Sequence, residues 1–382
     1  MTMKRFLLHI IYITALLPFL GSCSQTDDVP TDVSDSDRVQ LSLCVTTRAL
    51  PQEGMEIGTG TPENMHLWVF GSVNDNQNTN GYDKLAYREI NSPSFAGSDA
   101  FGNPVHTITD LDIPEGKKYT KMYFYVVLNS GSVVQSWNLD GETTISQLQG
   151  LTFSGIYQVK EDNEMQIYEV KEDNEMLMYG MSELEINPHK TNYETGIEVT
   201  RAVAKLELHF TKKDSNSELV IQKVTLSSEI GKGYLVPTPL LNDNTIYKDA
   251  TNVALFEGSE TIDQWLDTEE HYGNFSQHEG SFEELTLSAP YLMENPYGLD
   301  WTDHQADDKY PESDSSTDVS KYYKLTVDYV IDGTKDIETF YLPKIERNHL
   351  YKIYIRARST EFELNWEAVP FDQVINDIPT FN

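Results

Sequence analysis

The sequence predicts an all-β protein built as two successive β-sandwich domains with few short helices, and three observations carry that prediction. Short runs of alternating, β-branched and aromatic residues recur along the chain, separated by clusters of Gly, Pro, Asn and Asp. A hydrophobic fraction of 39% with 22 tyrosines suits a folded, tyrosine-rich chain. Amphipathic helical periodicity is almost absent. At 382 residues, two domains of ordinary size are the economical division.

The elements follow in order. Lys4 and Arg5 precede a fifteen-residue apolar run, Phe6 to Leu20, and Leu20-Gly21-Ser22-Cys23 brings small residues to where a signal peptidase would cut. The run is shorter than the roughly 20 residues of a membrane-spanning helix, so residues 1–22 read as an export signal. Cysteine directly after Leu-Gly-Ser resembles the lipobox of bacterial lipoproteins, in which Cys23 would be acylated and become the new N-terminus. Residues 24–37, SQTDDVPTDVSDSD, are acidic and without apolar periodicity, as in a flexible tether. RVQLSLCVTTRAL (38–50) then alternates as a strand, with Val39, Leu41, Leu43 and Val45 on one face, and ends in Arg48 before Ala49.

Met65–Val73 reads as a buried strand, and Tyr119–Leu128 as another, ended by Asn129-Ser130-Gly131. Leu177–Gly180 begins a further one. Between them, YQVKEDNEMQI (157–167) and YEVKEDNEMLM (168–178) form a tandem duplication with an eleven-residue unit. An odd insertion would turn a continuous strand inside out, which argues against one straight strand. A repeated polar turn between short strands and a three-turn helical unit both remain open. From about Pro188 the pattern restarts: Ile197–Phe210 alternates as one strand, Leu219–Leu226 follows, and Asp332-Gly333 marks a hairpin between Tyr322–Ile331 and Ile337–Leu342, with a turn longer than two residues. His349–Arg358 and Phe362–Val369 complete the second half. The domains are therefore expected at 49–190 and 191–382, after a signal peptide (1–22) and a propeptide of tether plus strand (23–48).

Composition and motifs exclude several functions. A net charge of −33 would repel nucleic acid. No Gly-x-Ser-x-Gly elbow, His-Glu-x-x-His or phosphate-cradling glycine loop occurs, so no enzyme activity and no cofactor are expected. Asn76, Asn78, Asn80 and Gly81 have the spacing of a calcium loop, but the side-chain ligands would be neutral and Tyr87 stands where a bidentate Glu belongs. The acidic run 300–318 reads as a solvated loop, and no metal site is expected. The other cysteine is Cys44, so a cut after Arg48 removes both; it also removes four of the 28 basic and five of the 61 acidic residues, leaving a net charge of −32. Such a product would rely on packing and strand pairing, not disulfides. Trp68, Trp137, Trp265, Trp301 and Trp366 could alternatively form a glycan-binding aromatic platform on a surface lipoprotein.

IERNHLYKIYI (345–355) resembles the signature near the end of the fimbrillin family, the major pilins of Bacteroidales-type surface fimbriae. In order along the chain, MHLWVFGS resembles that family's first body strand, YFYVVLNSG its strand ending in Asn, TRAVAKLEL its Arg-x-x-Ala-Lys strand and PYLMENPYG its Tyr-x-x-Glu-Asn element. The resemblance implies two tandem transthyretin-like Greek-key β-sandwiches in a lipoprotein precursor of the outer membrane, cut by an arginine-specific protease and then assembled into cell-surface fimbriae. Carried onto this chain, it implies lipidation at Cys23 and a maturation cut between Arg48 and Ala49. It further implies that Val39, Leu41, Leu43 and Val45 temporarily fill a groove, and that a tail at about 369–382 donates a strand to a neighbour through Phe371, Val374, Ile375, Ile378 and Phe381, although Pro370 and Pro379 interrupt its alternation. The implied role is a pilin that self-associates, with anchor and tip subunits as further partners; an anchor or tip subunit is the alternative within that system.

Overall fold

A computed structural model of the chain describes residues 37–47, 62–73, 82–98, 104–130, 137, 139–154, 157–159, 165–167, 177–230, 232–237, 247–268, 275–288, 291–299, 319–358 and 361–370. The fold is all-β. The first half contains β1 (Val39–Thr47), β2 (Asn64–Ser72), β3 (Tyr82–Asn91), β4 (Gly97–Ser98), β5 (Pro104–Ile113) and β6 (Lys121–Leu128). After the short helix α1 (Ile145–Gly150) come β7 (Thr152–Ser154), β8 (Tyr157–Val159), β9 (Met165–Ile167), β10 (Met178–Glu185) and β11 (Asn192–Arg201). The second half contains β12 (Val203–Lys212), β13 (Leu219–Ile230), β14 (Lys232–Tyr234), β15 (Tyr247–Ile262), β16 (Glu283–Leu285) and β17 (Tyr291–Met293). It closes with β18 (Lys324–Ile331), β19 (Thr334–Tyr341), β20 (His349–Arg358) and β21 (Glu361–Pro370).

Eight strands of the first half share one sheet in the order β3-β2-β6-β10-β11-β1-β5-β4. Laid flat, β1 and β2 would lie about 19 Å apart at the usual strand spacing. Yet Leu41 and Leu43 of β1 share one buried apolar cluster with Leu67 of β2 and Phe124 of β6. The sheet therefore folds over and packs against itself. The corner is at Gly180: β10 pairs with β11 only over Met178–Gly180, then continues along β6 to Glu185 while β11 departs to β1. A β-carbon at Gly180 would collide with the Glu198 carbonyl, which is why this close crossing uses glycine.

The second half is a sandwich of one sheet, β16-β12-β20-β21 with β17 also on β12, against another, β15-β13-β18-β19. Tyr329 of β18 and Phe362 of β21 meet across the interior with ring centroids 4.4 Å apart. The two halves share packing as well as chain. Trp68, Phe70 and Tyr125, on the faces of β2 and β6 that point away from β1, belong to the same buried cluster as the core of the second half. Across this join β7 pairs with β14. The helix α1 covers it, opened by a capping box in which Thr144 and Gln147 exchange side-chain and backbone hydrogen bonds.

Two elements differ from the sequence expectation. The alternating run 197–210 is not one strand: it breaks at Ala202, with β11 pairing into the first sheet and β12 into the second half. Alternation along a chain does not reveal such a change of pairing partner. The Asp332-Gly333 turn has two residues, not more: Ile331 pairs with Thr334, and φ is 50° and 77° at the two turn residues, the left-handed pair of a type I′ hairpin. At the end of β21, Val369 and Pro370 pair with Leu350 and His349. In the first copy of the duplication, β8 and β9 pair antiparallel from Tyr157↔Ile167 to Val159↔Met165, the short strands of the first option; residues 160–164 between them lie outside the described residues.

Candidate functional site

The opening strand sits inside the sheet. β1 pairs in parallel with β11 over Gln40–Thr47 and antiparallel with β5 over Val39–Thr46, with a bulge between Leu41 and Leu43. A parallel neighbour cannot come from a hairpin, and each residue of β1 pairs with residues 59 or more positions away in sequence. Val39, Leu43 and Val45 are 0% exposed and Leu41 1%, whereas Gln40 between them is exposed. Their pocket is lined by Ile108, Leu111 and Ile113 of β5, Ile197 of β11 and the β2 and β6 side chains across the fold. At the strand entry a β-carbon on Gly116 would press on the Val39 side chain, so this turn closes directly over the first buried residue. Lys117 donates its backbone N–H to the Asp37 carbonyl at 2.9 Å, and Arg38 pairs with Asp112 at 3.2 Å on the exposed surface, where such a pair adds little.

Burying four aliphatic side chains to this extent contributes about 1.5–3 kcal/mol each as an upper estimate, or about 6–12 kcal/mol in all. Removing β1 would also strip the hydrogen-bonding edges of β5 and β11, two unpaired edges facing each other across one apolar trough. At the other end of the strand, Thr47 is still buried and pairs with Val199. Arg48 is the next residue. Cys23, Arg48 and Ala49, together with Phe371, Val374, Ile375, Ile378 and Phe381, lie outside the described residues, as do the acidic run 300–318 and the Asn76–Gly81 loop.

The remaining sequence signatures meet at the junction between the halves. Arg347 donates to the carbonyls of Leu235 at 2.7 Å and Tyr234 at 2.9 Å, and pairs with Glu294 at 2.7 Å. Asn295 and Ile345 exchange two backbone hydrogen bonds. Asn348, at φ 57°, accepts the Arg201 N–H through its side chain and donates its own N–H to Val203. The Glu-Asn, Arg-Asn and Arg-x-x-Ala-Lys pieces are thus one structural joint around the point where β11 becomes β12. Asn129, φ 59°, does similar work at the start of β2, where its side chain accepts the Glu63 N–H. An aromatic glycan platform does not assemble from the described tryptophans: Trp68 is fully buried, Trp366 stacks on Tyr351 and only Trp265 is strongly exposed; Trp301 lies outside the described residues.

Sequence reasoning missed one side-chain cluster. Glu207 and His209 project from the same face of β12, and Glu284 of β16 stands directly opposite His209 in the ladder. One ligand atom from each of the three lies within 4.8 Å of the others. Burial acts to raise the Glu207 pKa, but the hydrogen bond from His209 and the charge of Lys205 outweigh it and bring it down to about 2, so the carboxylate stays ionised. Only the cross-strand register brings Glu284 beside residues 75 positions earlier, and nothing in the local sequence signals that register.

No family model matches the sequence, and no curated protein matches it. Among solved structures, the chain is similar to the tip fimbrial protein Mfa3 from Porphyromonas gingivalis with C-terminal truncation, at 12% identity and TM-score 0.46, covering 87% of this chain and 99% of that one. It is also similar to a fimbrilin (fimA) from Porphyromonas gingivalis W83, at 12% identity and TM-score 0.43 over 86% of this chain and 96% of that one. Its structural neighbours are fimbrial and putative cell adhesion proteins. A fimbrial assembly protein from Parabacteroides distasonis, at 11% identity and TM-score 0.43, covers 87% of this chain and 98% of its own.

Proposed function

We propose that this chain is a structural subunit of a cell-surface fimbria that polymerises by strand exchange. In this reading it is exported as an outer-membrane lipoprotein acylated at Cys23 and cut between Arg48 and Ala49 by an arginine-specific protease. It then loses β1, and an extended segment of a neighbouring subunit enters between β5 and β11. The observation that supports it is the placement of β1: an N-terminal strand, buried to within 1% at four aliphatic positions and paired on both sides, directly followed by a lone arginine. A strand needed permanently would gain nothing from a cuttable end, whereas a temporary one needs both burial and an exit. Strand addition satisfies the bared edges and the trough together.

The donor is the tail after β21, residues 371–382, with Phe371, Val374, Ile375, Ile378 and Phe381 as its apolar side chains. Acceptor and donor are different segments of one subunit, so the contact is heterologous and propagates, with anchor and tip subunits closing the ends. No catalytic residue and no cofactor enter this role. The experiment is direct. Purified precursor treated with an arginine-specific protease should give a ladder of oligomers, and Arg48→Ala should stay a folded monomer under the same treatment. Oligomers of Arg48→Ala at wild-type level would refute strand release as the trigger.

A further inference from the structure

We propose that Glu207, His209 and Glu284 form a binding site for a first-row divalent transition cation such as Zn2+, cross-linking β12 to the edge strand β16. The geometry comes first. Side chains at i and i+2 of a strand and the residue directly opposite one of them crowd one patch of a sheet face, which brings three donor atoms together without any loop. Glu207 Oε2 and His209 Nε2 are 3.4 Å apart, against about 3.3 Å between neighbouring donors of a tetrahedral site with 2.0–2.1 Å bonds. Glu284, on the exposed side, completes the set within 4.8 Å. The fourth position would face solvent past Glu284 and take a water.

The two buried ligands are held in place. The other oxygen of Glu207 accepts from Lys205 Nζ at 3.0 Å, leaving Oε2 for the shared point. The His209 ring lies against Tyr354 with centroids 5.1 Å apart, and Phe282 packs edge-on against that same tyrosine at 5.2 Å. Charge supplies a second, independent observation. Lys205 offsets Glu207, but Glu284 has no hydrogen bond or ion pair among the described residues, so a second carboxylate is set beside the first with no base of its own. The neighbouring basic group on β20, Lys352, is engaged by Glu279 at 2.6 Å. A cation bridging Glu207 and Glu284 removes that repulsion. An imidazole and only two carboxylates disfavour Ca2+ and Mg2+, which need more oxygen ligands, and suit Zn2+ and its neighbours.

The site is independent of the strand slot, and its benefit is structural. β16 is a three-residue strand at a sheet edge, and the chain beyond Arg48 contains no cysteine with which to staple it. The test is calorimetric titration of Zn2+ into the chelator-stripped full-length protein, together with thermal unfolding with and without Zn2+. Wild type should bind one Zn2+ at this site and unfold at a higher temperature in its presence. Glu284→Gln, at an exposed position, should fold as wild type, lose about tenfold or more in affinity for that Zn2+ and lose the thermal shift. His209→Gln should do the same. Excess Ca2+ should not displace the metal. Absence of a titratable Zn2+ site in the wild type, or a wild-type titration in Glu284→Gln, overturns the proposal, and the Glu284 variant decides it even if His209→Gln does not fold.

Discussion

Leu43 is completely buried between β5 and β11, and its removal tests how much the opening strand contributes to the precursor. Leu43→Ala should destabilise the uncut protein by about 2–5 kcal/mol in denaturant unfolding. Gln40→Ala, on the exposed position of the same strand, should change stability by no more than about 0.5 kcal/mol. Glu207 predicts a pH effect with a definite sign. Its pKa falls from 4.5 to about 2 on folding, so its stabilisation is fully present above pH 4.5 and is lost as pH drops toward 2; Glu207→Gln should flatten that part of the stability curve. Individual residues were legible from sequence where a period of two carries the information. Alternation alone places Val39, Leu41, Leu43 and Val45 on one face, and the structure buries all four. Glu207, His209 and Glu284 were not legible, because their meeting depends on pairing between β12 and β16, across a long sequence interval.

At the scale of elements, a strand that occupies a trough is exchangeable in a way that a core hairpin is not. β1 reaches its neighbours only through ladders and side chains, and no short turn ties it to β5 or β11. A synthetic peptide covering residues 38–47 should therefore bind the cleaved protein and block oligomer growth, and one carrying Leu41→Glu and Leu43→Glu should do neither. Growth undiminished by saturating wild-type peptide would argue against a vacated β1 trough as the acceptor. Several strands, including β20, were readable from sequence to within a residue or two, since buried β-branched and aromatic runs are strong signals. Pairing partners were not. The parallel pairing of β1 with β11, the break of 197–210 at Ala202 and the true hairpin at Asp332-Gly333 depend on register and on backbone φ, which alternation leaves open.

For the whole molecule, the proposed polymerisation would join subunits that each carry a net charge of −32 once cut after Arg48. Screening shortens the reach of this repulsion to about 8 Å at physiological ionic strength, so oligomer growth should be faster in 0.15 M salt than in 0.01 M, measured by the rate of ladder formation after cleavage. Deleting residues 371–382 leaves β21 and its pairing with β20 untouched, so that variant should fold, be cut and remain monomeric. At this scale the sequence conveyed the all-β class but not how the halves meet: they are joined through β7 and β14 and through the Arg347 joint, whose members are spread over more than a hundred residues. The most direct test of strand release as the assembly trigger is the N-terminal sequence of subunits recovered from the assembled surface fibre. Ala49 at the N-terminus is the predicted result; fibres whose subunits begin at an acylated Cys23, with β1 retained, would contradict the account.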